Sequence, residues 1–437
     1  MLISFSVENF RSIKNKQTID FEASSKYSSS FEKKFQHNIF KTNNAQIPYL
    51  VNTIAVYGAN ASGKSNLIKA FYDCGSMVLY KKNRGDQIST DPFLLNSKTK
   101  ELPTSYSIDF IAKNQVRYIY SFSFDNYRIH HEKLEYFENK TNSSAKLIYE
   151  IIFKKGRYIF SDNLNDKLGE QTRNIFKNTE NNLLLHLLVN VNTDNYVDPD
   201  NIIPVYDWFK FNLEVMFSHD QFSMNSLLLL HKNKAIKKSV LDLVKKFDLS
   251  IIDIEIEEYV DEKFLKFIET ASDIPEAIKN KYKSSKPMML RPKFIHKYQN
   301  KKIEFKESQI SSGTENLIYL LPQVFIALAE GGVIIFDEID RSLHPDILLE
   351  VVKIFQNPEF NKTNAQILFT VHNDILLEKS YELFRRDQVW FASKDDNDQS
   401  TQIYSLTDFT NVRNEHNIAL RYRDHEYGAR PFIGDYS

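Results

Sequence analysis

Apolar and polar residues change rhythm several times along this chain, and each change predicts a different element. Residues 2–7 and 18–21 read as two strands around Asn9-Phe10-Arg11-Ser12, and the serine- and lysine-rich stretch 24–34 reads as a loop. Thr53-Ile54-Ala55-Val56-Tyr57 is a short apolar run that stops at a glycine, as a buried strand does, and residues 66–72 then read as a helix. From about residue 105 to 160 the period becomes two. Residues 106–110 and 116–120 flank the turn Lys113-Asn114-Gln115, and a second pair flanks Lys154-Lys155-Gly156-Arg157, which predicts antiparallel hairpins. Residues 166–246 read as mainly helical, with apolar clusters at 183–185 and 227–230. Residues 272–292 are polar, charged and broken by Pro275, Pro287 and Pro292, the pattern of a loop or mobile insertion. Past Ile303 the reading is a helix at 317–328, a buried strand at 332–336, a helix at 347–355, a strand at 366–371, and a hairpin pairing 389–391 with 402–404. There is no internal repeat and no sustained heptad.

The chain has 437 residues, enough for one large domain or two intertwined ones, and its 42% apolar content supports a sizeable core. The formal net charge of -1 offers no global attraction to nucleic acid, so any such contact has to come from a local patch. The single cysteine, Cys74, rules out a disulfide framework within one chain and fits a reducing cytoplasm. The apolar start Met1-Leu2-Ile3-Ser4-Phe5-Ser6-Val7 lacks a basic opening and reads as a strand, not a signal peptide. No window approaches the roughly 18 apolar residues of a membrane span.

Chemistry enters at Gly58-Ala59-Asn60-Ala61-Ser62-Gly63-Lys64-Ser65, which fits the phosphate-loop pattern G-x-x-x-x-G-K-S between an apolar strand and a helix. Glycines let the backbone turn its N–H groups around phosphate oxygens, and the helix start adds partial positive charge. Lys64 is expected to reach the β- and γ-phosphates of ATP and Ser65 to hold Mg²⁺, with Asn66 completing the binding segment. Gly332-Val333-Ile334-Ile335-Phe336-Asp337-Glu338 is an apolar strand ending in two acids. Asp337 is expected to bind Mg²⁺ through water or to hold Ser65, and Glu338 to polarise the attacking water.

Two further segments gain meaning from their order. Ser311-Ser312-Gly313-Thr314-Glu315 can be a capping box in which Ser312 and Glu315 merely start a helix. It can also be a turn that offers Ser311, Ser312 and the Gly313 amide to a γ-phosphate held by a second subunit, since it lies a short way before Asp337, where ABC-type ATPases carry their signature. His372 ends the strand that follows Asp337, the place of a polar γ-phosphate contact. In ABC-type ATPases the signature of one head faces the phosphate loop of another, so the likeness in motif order implies two heads that close around ATP and part on hydrolysis. The span from Lys64 to Ser311 is too short, and too lacking in heptads, for long coiled-coil arms, so the insertion it contains must be compact.

Asn9-Phe10-Arg11-Ser12 resembles the opening of SMC- and RecF-like heads. Asp337-Glu338-Ile339-Asp340-Arg341-Ser342-Leu343-His344-Pro345 resembles a segment of OLD-like and abortive-infection ATPases. Residues 385–391, 404–409 and 427–432 resemble the C-terminal motifs of bacterial AbiL/RloA-type ATPases. The resemblance implies an α/β fold, an ABC/SMC-like P-loop ATPase head with a mixed sheet and an antiparallel β-subdomain, carrying a β-hairpin plus helical insertion. Residues 1–80 would be the N-terminal lobe, 81–246 the insertion, and 247–437 the C-terminal lobe. It implies ATP and Mg²⁺ as cofactors, Glu338 and His372 in catalysis, and residues 340–345 across a dimer interface. It also implies a role in anti-phage defence beside a separate effector, often a nuclease. The signature departs from Ser-Gly-Gly-Gln, and a Q-loop glutamine has no clear position, Gln87 being a weak candidate. OLD nucleases carry a Toprim domain after the head; too few residues follow His372 for another domain of ordinary size, so no nuclease is expected within this chain.

The leading expectation is a cytoplasmic ATPase that pairs with itself and restrains an effector. The alternative is an SMC/RecF-like ATPase of DNA repair or recombination, clamping DNA with lysines such as Lys232, Lys234, Lys237, Lys238, Lys245 and Lys246. A transporter motor is disfavoured, because no interfacial helix stands out.

Overall fold

The computed structural model describes residues 1–24, 33–165, 170–190, 199–217, 223–247, 250–271, 276, 279, 288–341, 343–412 and 416–430. Most of the loop expected at 24–34 and of the insertion expected at 272–292 lies outside these residues, as do Ser342 and positions 431–432.

In chain order the strands are β1 (Leu2–Glu8), β2 (Gln17–Asp20), β3 (Ile39–Lys41), β4 (Tyr49–Val51), β5 (Thr53–Gly58) and β6 (Thr104–Ile111). Then come β7 (Arg117–Phe124), β8 (Ile129–Phe137), β9 (Lys146–Lys154), β10 (Arg157–Phe160), β11 (Leu213–Phe217) and β12 (Ile251–Val260). The last are β13 (Met288–Tyr298), β14 (Lys301–Lys306), β15 (Val333–Asp337), β16 (Gln366–Val371), β17 (Val389–Lys394) and β18 (Thr401–Ser405). The helices used below are α1 (Lys64–Leu79), α2 (Leu184–Asn190), α3 (Ser223–Lys232), α4 (Lys234–Phe247), α5 (Ser312–Glu330) and α6 (Pro345–Gln356).

The chain divides into two compact units. The first, residues 1–218, 327–341 and 348–437, holds two large sheets. One is antiparallel, in the order β10-β9-β8-β7-β6-β1-β2. Its alternation places Tyr106, Ile108 and Phe110 opposite Phe122, Tyr120 and Tyr118, six buried side chains on one face. The other runs β11-β15-β16-β5-β17-β18, with β11 to β17 parallel and β18 antiparallel at the edge. Strands β5, β15 and β16 are buried along their whole length, so they read as largely apolar runs. Helix α1 packs against β1 of the first sheet and against β5, β11 and β15 of the second. Phe71 of α1 stacks on Phe5 of β1 at 3.9 Å between ring centroids.

Two buried polar side chains tie these layers together. Gln366 of β16 accepts from the Leu2 amide and donates to the Leu2 and Val51 carbonyls. Glu132 of β8 accepts from the Tyr120 and Tyr149 hydroxyls and from the amides of Leu184 and Leu185 at the start of α2. Burial raises the affinity of this carboxyl for its proton, and the four donors oppose that rise.

The sequence reading assigned residues 81–246 to an insertion. In the structure β6 pairs with β1, and β11, from a stretch expected to be mainly helical, pairs with β15. Alternation reveals which residues share a face but not which strand lies alongside, and a stretch as short as Leu213-Glu214-Val215-Met216-Phe217 does not distinguish strand from helix.

The second unit, residues 219–326 and 342–347, contains the sheet β12-β13-β14 with α3 and α4 packed on it. Residues 288–292, expected in a loop, are strand. Pro292 fits because β14 begins its pairing only at Lys293, so no ladder bond is lost on that side. Among the described residues no helix is long and apolar enough to cross a membrane.

Candidate nucleotide site

Sheet order builds the site in the first unit. Strand β16 lies between β5 and β15, so the segments that leave these three parallel strands emerge side by side at their C-terminal ends, where open α/β sheets bind ligands. They carry Lys64, His372 and the pair Asp337-Glu338.

Ala61 and Gly63 adopt left-handed backbone, with φ of 62° and 108°. A Cβ on Gly58 would collide with the Ala392 carbonyl oxygen, and one on Gly63 with the Thr401 hydroxyl. Both glycines are therefore required by close approach. The loop is braced from behind. Thr401 Oγ1 donates to the Ser62 carbonyl (2.9 Å) and lies 2.7 Å from Ser12 Oγ, which accepts from Asn66 Nδ2 at 2.7 Å. The Thr401 amide completes the brace by donating to the Ser12 carbonyl.

Lys64 is buried, and its ammonium donates to the Gly58 and Ala59 carbonyls at 2.6 and 3.0 Å. His372 Nδ1 lies 3.5 Å from the same nitrogen, and His372 Nε2 lies 3.3 Å from Glu338 Oε1. Arg341 stands 3.6 Å from the other Glu338 oxygen. Asp337 is buried and accepts from the Thr370 hydroxyl at 2.7 Å; the same Thr370 oxygen accepts from the Glu338 amide. Glu338 has a left-handed φ of 53°, a conformation of the kind that collects at functional sites. Asp340 Oδ2 accepts from the amides of His372 and Asn373, fixing the turn after β16.

Sequence reading missed Thr370, Asp340 and the Ser12–Thr401 brace. Thr370 left a signal: it is a polar residue in an apolar strand, and a fully buried hydroxyl needs partners. Thr401 left none, because its role depends on pairing with residues far away in the chain.

The residues present fit a nucleotide with Mg²⁺. Among the described residues the buried Ser62 hydroxyl and Asp340 Oδ1 have no hydrogen-bond partner. Backbone approaches so closely at Gly58 and Gly63 that only glycine fits. Ser65 at the start of α1 and Asp337 at the end of β15 offer oxygens, and α1 packs on β15. Mg²⁺ commonly takes one or two protein oxygens, with phosphates and waters completing the shell.

The expected signature lies in the second unit. Ser311 Oγ accepts from the Thr314 amide at 3.1 Å, so Ser311 caps α5, not the Ser312–Glu315 pair. Gln87, the weak Q-loop candidate, is exposed.

Burial pushes the Lys64 ammonium down to about 8, against the pull of Asp337, Asp340 and Glu338. Phosphates at this site would raise it again. Nucleotide affinity should therefore be flat below about pH 8 and fall by up to about tenfold per pH unit above it, until the bound-state pKa is reached. Titration calorimetry at about pH 8.5, in buffers of different ionisation heat, should show proton uptake; binding without uptake contradicts this reading.

A family model described as "AAA domain, putative AbiEii toxin, Type IV TA system" matches residues 54–378. No curated protein matches the chain in sequence. Among solved structures, an SMC head bound to the C-terminal winged-helix domain of ScpA aligns at 12% identity, over 92% of this chain and 97% of that one, with a TM-score of 0.41. The SMC head domain from Thermotoga maritima aligns at 11% identity over 92% and 98%, with a TM-score of 0.36. The recombination mediator RecF bound to ATP aligns at 14% identity over 85% and 92%, with a TM-score of 0.35. These scores are too low to bear on activity.

Proposed function

The chain belongs to that AAA domain family, and on this premise we propose that it is an Mg²⁺-dependent ATPase whose heads pair around ATP to control a separate effector in anti-phage defence. The row Lys64–His372–Glu338 at the ends of β5, β16 and β15 is the observation that carries the ATPase reading.

The backbone N–H groups of residues 58–65 surround the phosphates, and Lys64 exchanges its two carbonyl partners for phosphate oxygens. Ser65 and Asp337 would hold Mg²⁺, which would supply positive charge against the phosphate oxygens. Thr370 keeps Asp337 oriented toward that role. Glu338 orients the attacking water and takes its proton, and His372 contacts the γ-phosphate. Ser311, Ser312 and Gly313 of a second copy complete the site, so hydrolysis requires pairing.

The effector reading draws on the likeness of residues 337–345, 385–391, 404–409 and 427–432 to abortive-infection ATPases, and on a family description that names a toxin system. The Glu338→Gln protein, purified from its own host with ATP, should retain a nuclease or other toxic protein. That protein's toxicity on co-expression should depend on Glu338. Retention of DNA or repair proteins alone, or toxicity indifferent to position 338, overturns the effector reading.

A further inference from the structure

Residues 279–306 hold ten lysines and arginines against a single acid, Glu304, in a chain of net charge -1. Their described part is Lys279, paired with Glu276 at 3.4 Å, and the hairpin β13–β14. At its base the charge is compensated: Arg291 pairs with Glu257 at 2.6 Å, and Lys293 lies 3.5 Å from Glu257 and 3.3 Å from Glu304. Toward the tip it is not. The acid-bearing strand β12 stops pairing at Ile251, opposite His296, and beyond it Ser250, whose carbonyl accepts from the Lys297 amide, brings no acid beside the last residues of β13 among the described residues. Lys297 stands directly across from Lys302, and Lys301 across from the exposed Tyr298. Lys297, Lys301, Lys302 and Lys306 are all exposed and form no ion pair among the described residues.

Lysines on an edge strand also serve to block unwanted strand pairing. That explains Lys301, Lys302 and Lys306 on β14. It does not explain Lys297 on the central strand, nor like charges placed opposite one another, which weaken a pair until something neutralises them. A polyanion with regularly spaced charge does so. The helix lysines are a weaker candidate, since Lys237 is already paired with Asp253 at 2.9 Å.

We propose that the tip of the β13–β14 hairpin, through Lys297, Lys301 and Lys302, binds the phosphate backbone of duplex DNA. A two-stranded ribbon fits the major groove of B-form DNA, whereas the deep, narrow major groove of A-form RNA does not admit side chains. Lysines that grip phosphates position a protein without reading sequence, so the binding is sequence-independent. It does not rest on the ATPase reading and persists without nucleotide.

The test uses the full chain and a short duplex of mixed sequence, followed by fluorescence anisotropy against salt. Three phosphate contacts give a log–log salt slope of about -2.7 and an affinity loss of about 40-fold between about 50 and 200 mM salt. Replacing the three lysines by alanine should remove that slope and reduce affinity more than tenfold near 100 mM salt. All three are exposed and two of them repel each other, so melting temperature should not fall and nucleotide binding should not change. The Lys64→Ala protein should bind the duplex as the unmodified chain does, which separates this result from failure of the ATP site. Binding that ignores the triple substitution, or tighter binding to duplex RNA or to anionic vesicles, overturns the proposal.

Discussion

Replacing Gly63 with valine should lower nucleotide affinity by at least about 10²-fold, because the loop can no longer hold the shape that gathers its N–H groups. Position 63 has φ of 108°, which side chains resist, and a Cβ there meets Thr401. Thr401 has no room to yield. It is fully buried and held between Ser12 and the Ser62 carbonyl. Strain of this kind costs about 1–3 kcal/mol, so the variant should fold with a lower melting temperature while losing nucleotide far more completely. The milder Gly63→Ala should regain part of its binding when combined with Thr401→Ala, since that change removes the two nearest atoms, Oγ1 and Cγ2, but leaves the Thr401 Cβ 2.9 Å away and the backbone strain in place. Titration with a fluorescent ATP analogue reads both effects. A Gly63→Val protein that binds ATP normally would move the nucleotide elsewhere.

Glu338→Gln should leave ATP affinity within about threefold of normal while turnover falls by about 10²–10⁴-fold, the range expected on loss of a general base. An amide keeps the size of the side chain and can still meet His372, 3.3 Å away, but it cannot take a proton from water. The left-handed turn at Glu338 is fixed by the hydrogen bond its backbone N–H donates to the Thr370 hydroxyl, so the backbone should not shift. Turnover unchanged by this substitution would assign the proton to another group.

Most of the candidate site was legible because its chemistry is local. A phosphate loop needs its glycines, lysine and serine at fixed spacing, and β5 and β15 are buried on both faces, so each reads as an apolar run beside its motif. What failed to show depends on distance. Strand β11 escaped notice because Leu213-Glu214-Val215-Met216-Phe217 follows a π-helical turn, Trp208–Asn212, within helical surroundings. The role of Asp340 was invisible for a related reason: its partners, the amides of His372 and Asn373, lie more than thirty residues away. The Ser311 cap was misread by one residue, because two adjacent serines offer the same hydroxyl and only the helix start decides between them.

The central claim, a pair of heads closed around ATP, is tested most directly by light scattering on the Glu338→Gln protein. Its mass should double with ATP and Mg²⁺ and return to that of one chain with ADP. Adding Ser311→Glu, which sets a negative charge against the γ-phosphate, should abolish the doubling and leave ATP binding intact. A mass that ignores the nucleotide, or a doubling that survives Ser311→Glu, would contradict the account.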